Sequence, residues 1–207
     1  MNKTMDLATK LPSTKQLVIA AVIAFFMLLT RGSHVLTAVS LPDASLVLFL
    51  LGGMYLGTGV KSRTACFAAF FILATVIDFG AAAIDPRQGF CLTNGYWGLI
   101  PAYGVMWLGG VYLAKITNTF ATKNLIAYGL VSVITSFVAF VISTQTYYLF
   151  SGRFPAQGVI ESLKHGWEYL PSWMGFSAMY FAIIWLCVAL WRSVKPSQKA
   201  PLQTSKV

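Results

Sequence analysis

The sequence predicts an all-α membrane protein with six transmembrane helices and both termini in the cytoplasm. Of the 207 residues, 57% are hydrophobic and only 10% are charged, whereas a soluble domain has about 25% charged residues. Apolar runs near the roughly 20 residues that cross a bilayer recur along the chain. Basic residues cluster on one side of these runs, which is the asymmetry that orients membrane helices.

The apolar runs divide the chain into a cytoplasmic segment 1–15, a transmembrane domain 16–192 and a cytoplasmic tail 193–207 that we expect to be disordered. The first expected span, 16–31, could continue as a broken helix past His34. The second, 45–60, is short, and the third is 64–84. The fourth, 94–116, has Pro101 near its start, and the fifth and sixth are 124–150 and 173–192. The connection 151–172 could hold a short interfacial helix at 157–169.

Charge predicts the orientation of these spans. With the N-terminus in the cytoplasm, eleven of the fifteen basic residues lie inside, as the positive-inside rule requires. Short basic flanks of membrane spans therefore account for the net charge of +9, so we expect no nucleic-acid partner. Five of the six acidic residues lie on or toward the outer side, with both histidines. They are Asp43, Asp78, Asp85, Glu161 and Glu168.

Asp78 is the strongest candidate for a functional residue. A charged side chain inside a span costs about 2.5–3.5 kcal/mol on insertion scales, and it usually faces a bundle interior or a wet cavity. About 1.5 Å of rise per residue places Asp78 in the outer third of its span. The alternative is a structural hydrogen bond to a neighbouring helix.

Cys91 is the second candidate. The three cysteines show no CxxC or CxH spacing, which excludes a zinc site and a disulfide framework. Cys66 and Cys187 lie among apolar residues and fit the role of small hydrophobic side chains. Cys91 instead follows the turn-rich Asp-Pro-Arg-Gln-Gly and precedes a span. A helix N-terminus there would favour its thiolate, a soft metal ligand, although an inert thiol remains the alternative.

Three further residues lie at the outer side, and each has both a functional and a purely structural interpretation. His34, with Arg31 in the motif TRGSH, would contribute to a site there or be a surface residue. Arg153 follows the fifth span and would hold a ligand or anchor the interface. Tyr96 would line a cavity or belong to an aromatic belt, and the same choice applies to Trp97 and Tyr103.

Small residues predict close helix packing. Ala20 and Ala24 form a small-xxx-small motif in the first span, which would serve packing within the bundle or docking of a partner helix. The pairs Gly52-Gly53 and Gly109-Gly110 would allow close approach in the same way. A Walker A motif is absent, so the chain cannot power transport through ATP by itself.

The chain resembles a known family. Six short spans, a small-residue motif in span one and a site at the outer side are similar to the substrate-binding (S) components of energy-coupling-factor vitamin transporters. More closely, TRGSH, LPDAS, Asp78, GFC with Cys91, Tyr96 and IPAYGVMWLGG resemble the BtuM-type vitamin B12 transporters, solitary relatives of S components in Gram-negative bacteria. The resemblance covers roughly residues 31–110.

The resemblance implies a multi-pass protein of the inner membrane that takes up cobalamin. It implies that Cys91 supplies the sulfur ligand to cobalt, and that it could assist loss of the upper cyano group. Asp78, Tyr96 and His34 match family positions near the corrin, and Arg153 is a looser match. An energy-coupling-factor module with its ATPases could dock at Ala20 and Ala24. No other cofactor is expected.

Three alternative functions remain open from the sequence. The chain could be an S-component-like transporter for another vitamin or a metal ion, with Cys91 incidental. It could be a membrane thiol oxidoreductase, which the lack of a second cysteine near Cys91 disfavours. A purely structural subunit would leave Asp78 unexplained.

Overall fold

The computed structural model describes residues 13–31, 41–116, 122–154 and 158–194. Within these ranges the chain forms helices and no strand, which confirms the all-α class. The α-helices are α1 (Thr14–Arg31), α2 (Ser45–Tyr55), α3 (Val60–Ile84), α4 (Leu99–Ile116), α5 (Thr122–Phe150), α6 (Val159–Gly166) and α7 (Leu170–Val194). Short 3₁₀ segments lie at Pro86–Cys91, Asn94–Gly98 and Trp167–Tyr169.

Five helical stretches of the described chain are long and apolar enough to cross a membrane: Thr14–Arg31, Val60–Ile84, Asn94–Ile116, Ile126–Phe150 and Val159–Cys187. They correspond to the first, third, fourth, fifth and sixth expected spans. The helix of the third span begins at Val60, earlier than the expected residue 64, and the helix of the fifth begins at Thr122, earlier than residue 124. The last helix runs to Val194, past the expected end at residue 192, and the tail 195–207 lies outside the described residues.

The second expected span is shorter than the sequence indicated. Helix α2 has 11 residues, which is about 16 Å of helix against roughly 30 Å of hydrocarbon. It ends because Leu56 is extended and Gly57 adopts φ +79°, a conformation that favours glycine. The backbone carbonyl of Gly57 then accepts a hydrogen bond of 3.2 Å from Nε of Arg63. Val60, the expected end of this span, is instead the first residue of α3.

Helix α2 is the centre of the bundle and packs tightly on α4. Most of its residues are buried, and glycines allow the two backbones to approach. A Cβ on Gly53 would collide with the backbone of Trp107, and a Cβ on Gly110 would collide with the carbonyl of Leu50. The expectation that these glycine pairs permit close packing is therefore confirmed.

Aromatic rings fill the space between α2, α3 and α4. Phe49 stacks on Tyr103 with ring centroids 4.3 Å apart. Phe67 meets Trp107 edge to face at 5.7 Å, a favoured geometry for aromatic pairs. This cluster holds α3 and α4 in a fixed position below their outer ends, where the polar residues lie.

The peripheral helices cover this core. On α1, Ala20 and Ala24 are half-buried and pack against it, so in the free chain the small-residue motif serves packing within the bundle. The expected interfacial helix at 157–169 corresponds to α6 and the 3₁₀ segment after it, while Gln157 lies outside the described residues. The Tyr180 hydroxyl of α7 donates a 2.7 Å hydrogen bond to the carbonyl of Pro42.

Candidate functional site

Asp78 forms an ion pair with Arg31. Asp78 lies six residues before the end of α3, and Arg31 is the last residue of α1. Nε of Arg31 donates to Oδ1 of Asp78 at 2.6 Å, and Nη2 donates to Oδ2 at 2.6 Å. This two-pronged arrangement is the strongest geometry available to an arginine and a carboxylate. The arginine side chain is 8% exposed and the aspartate 19%, so solvent screens the pair little.

The remaining terminal nitrogen of Arg31 connects the pair to α2 and α4. Nη1 donates to the hydroxyl oxygens of Tyr103 at 2.6 Å and Ser45 at 2.8 Å, and to Oδ2 of Asp43 at 3.3 Å. Asp43 in turn accepts hydrogen bonds from the backbone N–H and the hydroxyl of Ser45, at the start of α2. One guanidinium thus holds the outer ends of four helices together.

Tyr96 completes the surroundings of the Asp78 carboxylate. Its hydroxyl donates a 2.8 Å hydrogen bond to Oδ2 of Asp78, and its ring is buried. The 3₁₀ turn Asn94–Gly98 positions this ring, and Gly95 and Gly98 seat the turn against Thr146 of α5 with no room for a Cβ. Tyr96 therefore acts on the site through Asp78.

Cys91 opens onto the same cavity as the ion pair. The cavity has a volume of about 250 Å³. Its lining consists of Thr30, Arg31, Leu41, Asp43, Asp78, Gln88, Cys91 and Leu92. Two sequence-predicted site residues, Cys91 and Asp78, therefore meet at one cavity, and Tyr96 lies behind Asp78. The exposed thiol is free.

The Cys91 thiol is held in its protonated form. Although the side chain is exposed, surrounding protein partly desolvates the sulfur, and this desolvation raises the pKa of Cys91. The negative charge of Asp78 raises it further, while the positive charges of Arg153 and Arg31 lower it. Cys91 also ends a 3₁₀ segment rather than beginning a helix. These surroundings therefore favour the thiol, not the thiolate that a helix N-terminus would favour.

Arg153 lies beside the cavity and not in its lining. Its guanidinium carbon is 4.0 Å from the ring centroid of Phe90, the residue before Cys91, which is a cation–π contact. Arg153 acts on Cys91 through its charge, as the pKa direction shows.

His34 lies outside the described residues, so its assignment to the site stays a prediction. Trp97 is exposed, whereas Tyr103 is buried.

Sequence reasoning missed the role of Arg31. It placed this residue at the outer surface, yet an acid inside a span requires a partner, and Arg31 is the basic residue that ends another apolar run at the same side. That signal could have identified the pair. Asp43, Ser45 and Gln88 carried no comparable signal, because nothing in the sequence shows which polar residues near the ends of the helices converge.

The fold and the cavity define a class: an all-α bundle of apolar helices compatible with a multi-pass membrane protein, with a polar, thiol-containing cavity at one end. No protein-family model matches the chain, and a comparison with curated proteins finds no match either. The resemblance to BtuM-type transporters therefore rests on the quoted residues alone.

Proposed function

We propose that the chain binds cobalamin at the outer end of the bundle and carries it across the cytoplasmic membrane, as a six-helix protein of the S-component type. The observation that carries the proposal is the cavity itself, which is lined both by Cys91 and by the Arg31–Asp78 pair. Both lie on the side that charge distribution predicts to be extracytoplasmic.

The cavity offers one thiol ligand, which suits a cobalt ion already held in a macrocycle better than it suits a free metal ion. A corrin supplies four equatorial nitrogens, so the protein needs to add only one axial ligand. Cys91 would supply that ligand as its thiolate. The described part of the chain holds no group of three or more His, Cys, Asp or Glu side chains that could enclose a metal ion, and this favours cobalamin over a free metal ion as cargo.

Polar groups around the thiol suit the rim of the corrin. Its amide side chains both donate and accept hydrogen bonds. Gln88 and Asp43 line the cavity and would meet such amides. Asp78, already bound by Arg31 and Tyr96, would shape the wall and accept one further bond. His34 and Arg153 are proposed as additional contacts at the rim.

The cavity is too small to hold a cobalamin without a change in the protein. Its volume of about 250 Å³ is below the roughly 300–1,000 Å³ of sites for drug-sized ligands, and a cobalamin is larger than those ligands. Cobalamin binding therefore requires the outer ends of the helices to separate. The same volume favours a second candidate, a smaller vitamin bound without a cobalt–sulfur bond.

Spectroscopy of the purified chain separates the two candidates. Cyanocobalamin mixed with the wild type should shift the cobalt absorption bands, and Cys91→Ala should abolish the shift. Cys187→Ala is the matched control, because Cys187 is also exposed but lies on α7, and it should behave as wild type. An unchanged wild-type spectrum, or the same shift in Cys91→Ala, would refute cobalt ligation by Cys91. Growth of a cobalamin auxotroph then tests uptake.

Loss of the cyano group is a second step of the same proposal. With the Cys91 sulfur bound to one face of cobalt, the cobalt–carbon bond on the other face breaks and cyanide leaves with the bonding electron pair. Water takes its place and cobalt keeps its oxidation state. Cyanide released by the wild type and not by Cys91→Ala would support this step, and equal release would refute it.

Energy coupling remains part of the proposal. A coupling module would dock on α1 near Ala20 and Ala24, which are half-buried in the free chain. Uptake measured in cells with and without the coupling ATPases tests this partner. Uptake that is unchanged without them would show that the chain operates alone.

A further inference from the structure

A second cavity lies at the opposite end of the bundle, between α3 and α4. It has a volume of about 330 Å³, and its lining consists of Val60, Arg63, Thr64, Phe67, Gly104, Trp107, Leu108, Val111 and Lys115. We call it the inner groove. A Cβ added to Gly104 would meet no atom within 4 Å, so the groove is open at that point and not closed by a neighbouring helix.

The inner groove has two charged residues, Arg63 and Lys115, and both are cations at the same end of the bundle. Arg63 is in the first turn of α3, and Lys115 is next to the last residue of α4, so both cations lie at the end predicted to be cytoplasmic. Neither forms an ion pair with any acid in the described ranges. Asp6, the single acid that the sequence assigns to the cytoplasmic side, lies outside those ranges.

The rest of the inner groove is apolar and extends away from the cations. From Lys115 to Gly104 is eleven residues of helix, or about 16 Å toward the middle of the membrane. Phe67, Leu108 and Val111 line this part. The groove therefore has the polarity of a phospholipid. Its cationic end at the membrane surface matches an anionic headgroup, and its apolar part toward the middle of the membrane matches an acyl chain.

We propose that the inner groove binds one anionic phospholipid of the cytoplasmic leaflet. Arg63 and Lys115 contact its phosphate group, and an acyl chain lies along Phe67, Gly104 and Leu108. Basic pockets between membrane helices on the cytoplasmic side are suited to anionic headgroups. This site is independent of the cavity at Cys91 and of the identity of the cargo.

Native mass spectrometry of the full chain, purified from nanodiscs containing phosphatidylglycerol or phosphatidylcholine, tests the proposal. The wild type should retain one phosphatidylglycerol and release phosphatidylcholine. At about 1 kcal/mol per basic residue, Arg63→Gln/Lys115→Gln should weaken phosphatidylglycerol binding roughly 30-fold. Lys15→Gln/Lys61→Gln is the matched control, because it removes two exposed charges from the same end but outside the groove.

A steric variant separates the groove from general surface charge. Gly104→Leu keeps both cations and fills the channel, and it should also release the lipid, whereas Gly104→Ala should retain it. Equal retention of the two lipids by the wild type would overturn the proposal. Undiminished phosphatidylglycerol binding in Arg63→Gln/Lys115→Gln, or in a folded Gly104→Leu, would overturn it as well, as would an equal loss in the Lys15→Gln/Lys61→Gln control.

Discussion

Arg31 and Asp78 are joined by two hydrogen bonds of 2.6 Å, although they lie 47 residues apart in the chain. The pair explains how a carboxylate is accommodated in an apolar helix: its charge is neutralised by the end of α1 and its second oxygen also accepts from Tyr96. Removing one partner of such a pair leaves an unpaired charge, which is far costlier than removing both.

A double-mutant cycle on this pair tests that explanation. Arg31→Gln and Asp78→Asn should each lower the free energy of unfolding by about 3–5 kcal/mol. The double variant should lose much less than the sum of the two, because neither charge is then left alone. Thermal and denaturant unfolding of the purified protein measure these values.

The exposed pair Lys164–Glu161 on α6 is the control for the cycle. Its nitrogen and oxygen are 3.2 Å apart and both side chains are largely open to solvent, so its removal should change stability by no more than about 1 kcal/mol. Additive losses for Arg31→Gln and Asp78→Asn would mean that the two residues do not stabilise each other.

Much of the fold could be predicted because apolar length and charge asymmetry act locally along the chain. The five long spans follow from hydropathy alone. The sequence predicts a longer α2 because the apolar run continues past Tyr55. The helix ends there because Gly57 adopts a positive φ in the turn that follows, and the apolar pattern does not indicate that turn.

The candidate site was less predictable than the fold. Asp78 and Cys91 stand out as polar residues in apolar surroundings, and both line the cavity. Arg31 did not stand out in that way, because a basic residue at the end of a span is ordinary. The need of an intramembrane acid for a basic partner points to Arg31 as a candidate, but the packing of α1 on α3 is what selects it. The thiol pKa likewise depends on neighbours from other segments.

The proposed ligation of cobalt by Cys91 predicts that cobalamin affinity depends on pH. The raised pKa keeps the thiol protonated near neutral pH, and cobalt ligation requires the thiolate, so binding releases one proton. Apparent affinity should therefore rise up to tenfold per pH unit and level off above the thiol pKa. Titrations of wild type at several pH values measure this slope. A slope equal to that of Cys91→Ala would contradict the proton release.

Arg153→Gln should raise the pKa of Cys91 further. The positive charge of Arg153 lowers this pKa in the wild type, so its loss disfavours the thiolate. The pH dependence of alkylation, measured with Cys66 and Cys187 replaced by alanine, gives the pKa directly. Arg153→Lys should restore it. Arg87 is an exposed arginine of the 3₁₀ segment that also contains Cys91, and Arg87→Gln should leave the pKa unchanged. A lower pKa in Arg153→Gln would contradict the assigned effect.

Gly95→Ala should destabilise the bundle and disturb Asp78 from a distance. A Cβ at Gly95 would lie 2.6 Å from the carbonyl oxygen of Thr146 and 2.8 Å from Cα of Tyr147. Because these are backbone atoms, the 3₁₀ turn must move off α5, at a cost of about 1–3 kcal/mol. Gly129→Ala on α5 is the control, since its Cβ would meet open space, and it should be neutral or stabilising by up to about 1 kcal/mol.

The same movement should weaken the hydrogen bond from Tyr96 to Asp78. In the wild-type background, Tyr96→Phe removes a bond to a charged group, worth about 1.5–3 kcal/mol. In the Gly95→Ala background the turn has already drawn the hydroxyl away, so Tyr96→Phe should cost clearly less. Unfolding free energies of the two single variants and the double variant give the coupling. Additive losses would mean that Tyr96 keeps its position when the turn moves, and that Gly95 serves only the packing against α5.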